Sequence, residues 1–480
     1  MRIAFLNGPT NDYKVSRDSR WPERSKSGTL YYPIWLAYAA GVAKSKDHDV
    51  LLVDAEGGML SLDDTFKKLK KFKPELLVMS VTTPTFKNDL RNVDELKTPG
   101  ANVVLVGTHV SALPDLPLKL NQNVDFVARG EYDYIITELA ESMDRPWRVD
   151  GVSYRRSGRI VHSKPAKLVE NLDGIPWVSP IYKEFLNPNN YGYALARKPM
   201  IQILTSRGCP NMCVFCQYPQ VFSGRVFRAR TPEDVVAELA WINENMPEIK
   251  EIFIEDDTFT IDTRRVKDIC HLINEKKLKL TWSANVRANL NHETMKTMKS
   301  AGARLLVVGY ESGNDQILKN IKKGTIVKMN KEFAKSARKA GLRVFGCFML
   351  GLPGETPKTM EETFSMAKEL DPDMAFFQQA VPFPGTEMYQ WATKNGCLVE
   401  DEFEKWFDKE GHFDFLMDQP GLDAEEVRKA RDKFMRKFYM RPSFILKTLV
   451  RNAGNVSEMK RIMRAGINYA SFMRKISRGE

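Results

Sequence analysis

Three cysteines share one short loop of a 480-residue chain, Cys209, Cys213 and Cys216 in the run Arg207-Gly208-Cys209-Pro210-Asn211-Met212-Cys213-Val214-Phe215-Cys216. Thiolates this close together, beside a glycine and a proline, can grip one compact cluster of soft metal. With six cysteines in the chain, chance would produce the C-x₃-C-x₂-C spacing roughly 0.001 times. A [4Fe–4S] cluster held by only three thiolates keeps one iron open to a substrate or cofactor. Zinc and a disulfide are the plainer readings. Structural zinc usually takes paired knuckles, and neither a second C-x₂-C nor an H-x₃-H follows. Nothing marks the chain as secreted, so disulfides are not expected, and Cys270, Cys347 and Cys397 stand singly in apolar segments as small core hydrophobes.

The elements that must carry this loop alternate strand and helix. In residues 1–145 the apolar runs Ile3–Leu6, Val50–Val53, Leu76–Val81, Val103–Val106 and Phe126–Ala128 each end in a turn-like or polar group. Helical patterns lie between them, so the segment reads as a Rossmann-like, doubly wound parallel sheet covered on both faces. Residues 146–199 read as a linker with a hairpin around Ser157-Gly158. In residues 200–395 six strand candidates, each followed by a helical stretch, suit a partial (βα)₆ barrel whose functional groups follow the strands. Residues 396–480 form a helical C-terminal extension. Hydrophobic content of 43% and charged content of 28% are those of an ordinary globular protein. The start is too short an apolar run for a signal peptide, no transmembrane run appears, and a cytoplasmic setting is expected. Net charge is +11, but residues 428–480 alone carry 15 Lys and Arg against three acids, leaving the remainder near neutral. That basic tail, with Phe434, Phe438, Ile445, Leu446, Leu449, Val450, Ile462 and Phe472 between its cations, reads as a helical cap with affinity for a membrane surface. Packing on the barrel with solvated charges is the plainer alternative. No nucleic acid is expected, because no RNA-binding motif accompanies the charge.

The cysteine run resembles the signature of the radical S-adenosylmethionine (SAM) enzymes. The segments Tyr31-Tyr32-Pro33-Ile34-Trp35-Leu36-Ala37-Tyr38, Gly107-Thr108-His109-Val110-Ser111-Ala112-Leu113-Pro114 and Val124–Glu131 resemble the N-terminal domain of the cobalamin-dependent branch. The resemblance implies a [4Fe–4S] cluster on Cys209, Cys213 and Cys216, SAM chelated at the open iron, and cobalamin on the first sheet. Reductive cleavage of SAM to a 5′-deoxyadenosyl radical, fed by an electron donor such as ferredoxin or flavodoxin, follows from the same likeness. It further implies that Phe215 packs near the adenine, and that Asp256 in Glu255-Asp256-Asp257 contacts the SAM ammonium. Three such acids could equally bind magnesium or form a solvated loop. Ser283 and Arg287 are implied for the SAM carboxylate, Glu311 for the ribose and Gly351 for the passage of the adenine. Gly107, His109 and Gly130 are implied for cobalamin. The D-x-H-x-x-G motif of histidine-ligated cobalamin proteins is absent, and His109 read by itself simply lines a strand-end loop. The family's members on hopanoid-type lipids and porphyrins imply a small hydrophobic or lipid-like substrate, attacked at an unactivated carbon, with methyl transfer expected and ring formation or rearrangement as alternatives. A tRNA methylthiotransferase would carry a further N-terminal cysteine cluster, yet no cysteine precedes Cys209. A non-catalytic cobalamin or iron–sulfur binder is the remaining alternative.

Overall fold

A computed structural model describes residues 1–452 except 11–14, 19, 21–28, 194, 401, 407–412 and 415. The apolar runs of the first segment become strands buried on both faces. They are β1 (Arg2–Asn7), β2 (Asp49–Asp54), β3 (Leu76–Ser80), β4 (Asn102–Val106) and β5 (Phe126–Ala128), all parallel. The hairpin β6 (Val152–Arg156) and β7 (Arg159–His162) adds antiparallel to β5, giving a seven-stranded sheet of order β2-β1-β3-β4-β5-β6-β7. Such an order reverses between β1 and β3, and ligands bind beyond the strand ends at that switch point. Arg17 and Asp18 lie across this edge. Arg17 bridges Glu56 at 3.2 Å and Asp89 at 2.7 Å, and Asp18 accepts from the Trp35 backbone at 3.0 Å.

The second segment opens with β8 (Met200–Ile203), followed by the short strands β9 (Ser206–Arg207) and β10 (Arg228–Ala229), then β11 (Glu251–Ile254), β12 (Trp282–Val286), β13 (Ala303–Glu311), β14 (Arg343–Leu350) and β15 (Met374–Gln379). Six of these form an all-parallel sheet in the sequential order β15-β14-β13-β12-β11-β8, the open form of a βα barrel. The other two, β9 and β10, pair antiparallel into a ribbon that brackets the cysteine loop.

Helix Ile34–Ser45 joins the two domains. Its residues Ile34 through Ala43 are all buried, as expected of a helix that is apolar on every side. Just before it, the Tyr32 ring stacks on Tyr191 at 3.9 Å and its hydroxyl donates to Met200 O in β8 at 2.8 Å. Tyr38 donates to Leu204 O at 3.3 Å. Two buried ion pairs complete the joint. Arg207 is bidentate on Asp133 at 2.7 and 3.0 Å, and Arg228 is bidentate on Glu131 at 2.7 and 2.8 Å.

Tyr31 turns the other way, into the barrel, with its ring 6.4 Å from Tyr193 and 6.1 Å from Phe253. Met200, Leu305, Val307 and Phe345 complete this lumen cluster. Near the amino ends of the strands, Glu251 takes Arg304 Nη2 on both oxygens at 2.7 Å and the Tyr193 hydroxyl at 3.2 Å. On the outside, helix Ala424–Tyr439 covers β15 and its neighbour, with Phe434 stacked on Phe364 at 4.6 Å. Helix Pro442–Asn452 follows. Ile462, Phe472 and the rest of the basic tail beyond 452 lie outside the described residues. No helix among the described residues is long and apolar enough to cross a membrane.

Removing Asp133 leaves the Arg207 guanidinium charged and unpaired in the joint. Asp133→Ala is expected to destabilise the protein by about 3–5 kcal/mol, whereas the apolar pair Asp133→Leu/Arg207→Met recovers most of the loss. Urea denaturation of the three proteins checks both statements.

Candidate active site

The ribbon delivers the cysteine loop in a tightly determined path. Gly208 has φ +80°, and a Cβ there would stand 2.1 Å from Val226 O, so only glycine passes the returning chain. Asp257, just beyond β11, accepts Gly208 N at 2.8 Å and the Ser223 hydroxyl at 3.0 Å, and pairs with Arg20 Nη1 at 2.9 Å. Cys209 and Cys213 are buried, Cys216 half-buried, and all three are free thiols. Asn211 Nδ2 lies 3.1 Å from Cys209 Sγ, and Arg287 Nη1 lies 3.9 Å from Cys213 Sγ. Burial pushes the Cys216 thiol up to about 12 despite the nearby Arg20 cation.

The thiols ring the loop without meeting at a point, and among the described residues no three His, Cys, Asp or Glu side chains form a metal-holding group. Their chemistry nevertheless fits a three-thiolate iron–sulfur cluster: three soft donors on one loop, with Arg287 and Lys323 near Cys213 to balance thiolate charge. Cys270 in helix Thr263–Glu275, Cys347 in β14 and Cys397 after helix Glu387–Lys394 lie on other elements.

Beside Cys213 the strand ends bring together Phe215, Arg287, Glu311 and a residue the sequence did not single out, Lys323. Glu311 ends β13 at φ +61°, where the register slips between Gly309 and Glu311. Gly309 leaves the space its carboxylate fills, since a Cβ there would lie 2.2 Å from Glu311 Oε1. That oxygen accepts Lys323 Nζ at 2.7 Å. Burial opposes the Lys323 charge, but Glu311 and Cys213 outweigh it and hold the ammonium more basic than usual. The same nitrogen lies 5.9 Å from the Phe215 ring centroid, and Arg287 donates to the Lys323 carbonyl.

Two expected residues are engaged elsewhere. The Asp256 carboxylate accepts Thr205 N, Thr205 Oγ1 and Ser206 Oγ, each at 2.6 Å, so it ties β11 to the segment after β8 instead of facing the mouth. Ser283 is second in β12 and shares a hydrogen bond of 2.8 Å with Tyr193, toward the amino ends of the strands. Two residues per step along one strand face separate Ser283 from Asn285 and Arg287, and only the later pair reach the carboxyl end. Gly351, at φ +79°, turns its open side to Val427, which a Cβ there would meet at 3.2 Å, and Gln419 Nε2 donates to its carbonyl at 2.9 Å.

Between the barrel mouth and the first domain runs a crevice. It is a small space lined by the apolar Ile34, Trp35 and Leu204 and the polar Asp18, Arg20, Ser206, Glu255 and Asp257, and Tyr218 and Arg207 adjoin the cysteine loop. Burial raises both Asp18 and Glu255 to about 7, against the pull of the Trp35 amide on the first and of Arg20 on the second. Arg20 pairs with Asp257 at 2.9 Å and Glu255 at 3.7 Å, with its guanidinium 5.4 Å from the Tyr218 ring.

At the far side of this crevice Ser111 links two of the expected cobalamin loops, donating to Gly107 O at 2.7 Å and accepting from Gly130 N at 2.9 Å. Gly107 has φ +114° and a Cβ there would meet Val81 O at 2.5 Å, so the backbone of its loop stays bare. Such bare loops on the carboxyl edge of the sheet fit the close approach of a corrin. His109 fits ligation less well. Its ring is fully buried between Phe86 at 4.6 Å and Phe403 at 5.0 Å, Nδ1 lies 3.1 Å from the Thr83 hydroxyl, and Nε2 is buried without a hydrogen-bond partner among the described residues. Burial holds His109 neutral down to about pH 3. The unfolded chain therefore takes up a proton between about 6.5 and 3 that the folded chain refuses, and stability is lost as the pH is lowered through that window. His109→Leu is expected to remove about 2 kcal/mol of the loss between pH 6.5 and pH 5, read from urea midpoints at the two pH values.

Known proteins share this arrangement. Residues 203–367 match the Radical SAM superfamily and residues 24–140 match the B12 binding domain. An uncharacterized methyltransferase of Pyrococcus horikoshii is 32% identical over 91% of this chain and 94% of its own length. The anaerobic magnesium-protoporphyrin IX monomethyl ester cyclase of Rubrivivax gelatinosus is 26% identical over 93% of this chain and 78% of its own. The radical SAM methyltransferase TsrM of Kitasatospora setae, solved with its tryptophan substrate and a SAM analog, superposes with a TM-score of 0.71 over 92% of this chain and 90% of its own, at 17% identity. That last likeness is one of fold. Two cofactor-binding domains in this order, a three-cysteine loop at the start of the second and a full-length relative make the chain a cobalamin-dependent radical SAM enzyme of the methyltransferase family, using a [4Fe–4S] cluster, SAM and cobalamin.

Proposed function

We propose that the enzyme transfers a methyl group to an unactivated carbon of a small amphiphilic metabolite seated in the crevice between its two domains. The observation that carries this reading is the crevice itself, where the apolar Ile34, Trp35 and Leu204 and the carboxyls of Asp18, Glu255 and Asp257 line one space beside the cysteine loop. An apolar carbon skeleton would lie along Ile34, Trp35 and Leu204, and polar substituents would meet Asp18, Arg20 and Glu255. When bound, the cluster supplies the electron that divides SAM, and cobalamin supplies the methyl group.

The chain's own residues have separate tasks in this reading. Cys209, Cys213 and Cys216 hold three irons. Arg287 and Lys323 offer cations to the SAM carboxylate, Glu311 accepts from the ribose hydroxyls, and Phe215 lies against the adenine. The Gly351 loop, tied by Gln419, borders the same site. Gly107 and Gly130 admit the corrin, and His109 supports the loop from below without ligating cobalt. The exposed Met212 and Val226, at 47% and 61% accessibility on the outer side of the cysteine loop, support approach of a protein electron donor such as ferredoxin or flavodoxin. Ring formation is the second reading, favoured by the likeness to the cyclase.

Anaerobic turnover with SAM labelled in its methyl group separates the two. Label in the product, with S-adenosylhomocysteine formed alongside 5′-deoxyadenosine, supports methyl transfer. 5′-Deoxyadenosine with an unlabelled, ring-closed product supports the cyclase. Cys213→Ala is expected to abolish 5′-deoxyadenosine formation under dithionite while corrin absorption bands persist. Glu311→Gln is expected to weaken SAM binding about tenfold or more, because one charge-assisted acceptor is lost.

A further inference from the structure

Helix Pro442–Asn452 is amphipathic in the unusual sense. Its two cations, Lys447 and Arg451, reach back to the protein. Lys447 Nζ pairs with Asp371 at 2.7 Å and donates to Asp371 O and Pro372 O at 2.9 and 3.1 Å, Arg451 pairs with Asp373, and Arg441, just before the helix, pairs with Asp371 at 3.0 Å. Phe444 is the apolar anchor, buried against Phe438 at 5.3 Å and Tyr439 at 5.1 Å. The remaining face carries Ile445, Leu446, Leu449 and Val450, exposed at 43%, 63%, 43% and 68%. Successive residues turn by about 100°, so these four cover an arc of about 140°. Met440, 63% exposed, extends the patch, and Arg436 and Lys437 on the preceding turn are exposed as well.

A contiguous apolar stripe with cations at its border calls for a covering surface. A second copy of the chain is a poor cover, because a self-complementary contact here would bring together two regions that each carry a net +12 over residues 428–480. An anionic apolar boundary satisfies both properties at once.

We propose that the helix Pro442–Asn452 docks the enzyme on an anionic lipid surface, with Ile445, Leu446, Leu449 and Val450 entering the acyl boundary and the exposed Arg436 and Lys437 meeting the headgroups. The orientation follows from the fold. Asp371 and Asp373, which hold the helix, flank the amino end of β15, whereas the cysteine loop and crevice lie at the carboxyl ends of the strands. The membrane therefore lies against the rim opposite the mouth, and substrate enters the crevice from the side away from the bilayer.

The test is co-sedimentation of the full-length holoenzyme with vesicles of phosphatidylglycerol and phosphatidylcholine, or of phosphatidylcholine alone. Binding to the anionic vesicles, weaker on neutral ones and weakened by salt, is expected. Leu446→Glu/Val450→Glu should reduce it by at least about tenfold while dithionite-driven SAM cleavage stays at the wild-type rate. Ile445→Ser/Leu449→Ser provides the same comparison without added charge. Unchanged binding in both variants overturns the proposal. So does equal binding to neutral vesicles, or a dimer in sedimentation equilibrium that either double substitution dissolves while vesicles leave the protein in solution.

Discussion

The bidentate pair between Arg207 and Asp133 is the contact on which the two domains depend. Arg207 stands two residues before Cys209, and Asp133 opens the helix that follows the Gly130 loop. Taking both charges out of water costs several kcal/mol per ion, and the cost is offset only by excellent geometry. The geometry is provided by two hydrogen bonds to the carboxylate and by aromatic rings at 4.5 Å (Trp35) and 5.2 Å (Tyr38) from the guanidinium carbon. Arg228 and Glu131 repeat the arrangement on the other strand of the ribbon. The cysteine loop and the Gly130 loop are thus tied to one joint.

That joint leaves a crevice whose electrostatics are delicately balanced. Asp257 is shared between the cysteine loop and Arg20, so the residue that shapes that loop's path also anchors a cation of the crevice. Asp18 and Glu255 lie close to half-protonation at neutral pH, so the crevice can donate or accept hydrogen bonds with little rearrangement. Around them Ile34, Trp35 and Leu204 supply the apolar part of a lining that is otherwise polar, and burial strengthens each electrostatic contact among those groups.

Much of this was legible in the chain. The cysteine spacing identifies the chemistry, and the apolar runs locate the strands to within a residue or two, because parallel strands buried on both faces must be continuously hydrophobic. Glu311 also sits where its Gly-Tyr-Glu context suggested, at a strand end. What the sequence hid is direction. Asp256 and Asp257 are neighbours with opposite assignments, since adjacent residues leaving a strand point to different sides. Ser283 lies on the correct face of β12 but too early along it. Lys323 was missed because its partner is twelve residues earlier on another element, and a lysine in a basic run reads as a solvated charge. The bare space at Gly309, filled by the Glu311 carboxylate, is the signal that could have pointed to that pair.

The placement of Tyr31 has a consequence for how such a protein comes into being. The aromatic filling of the barrel lumen is encoded some way ahead of the first barrel strand, in the segment that also starts helix Ile34–Ser45. During synthesis the stopper leaves the ribosome before the vessel it closes. A barrel expressed without residues 1–45 would therefore keep its strands and cysteines but lose the ring that packs on Tyr193 and Phe253. The two domains are thus less a fusion of independent parts than a single folding unit whose halves each complete the other's interior.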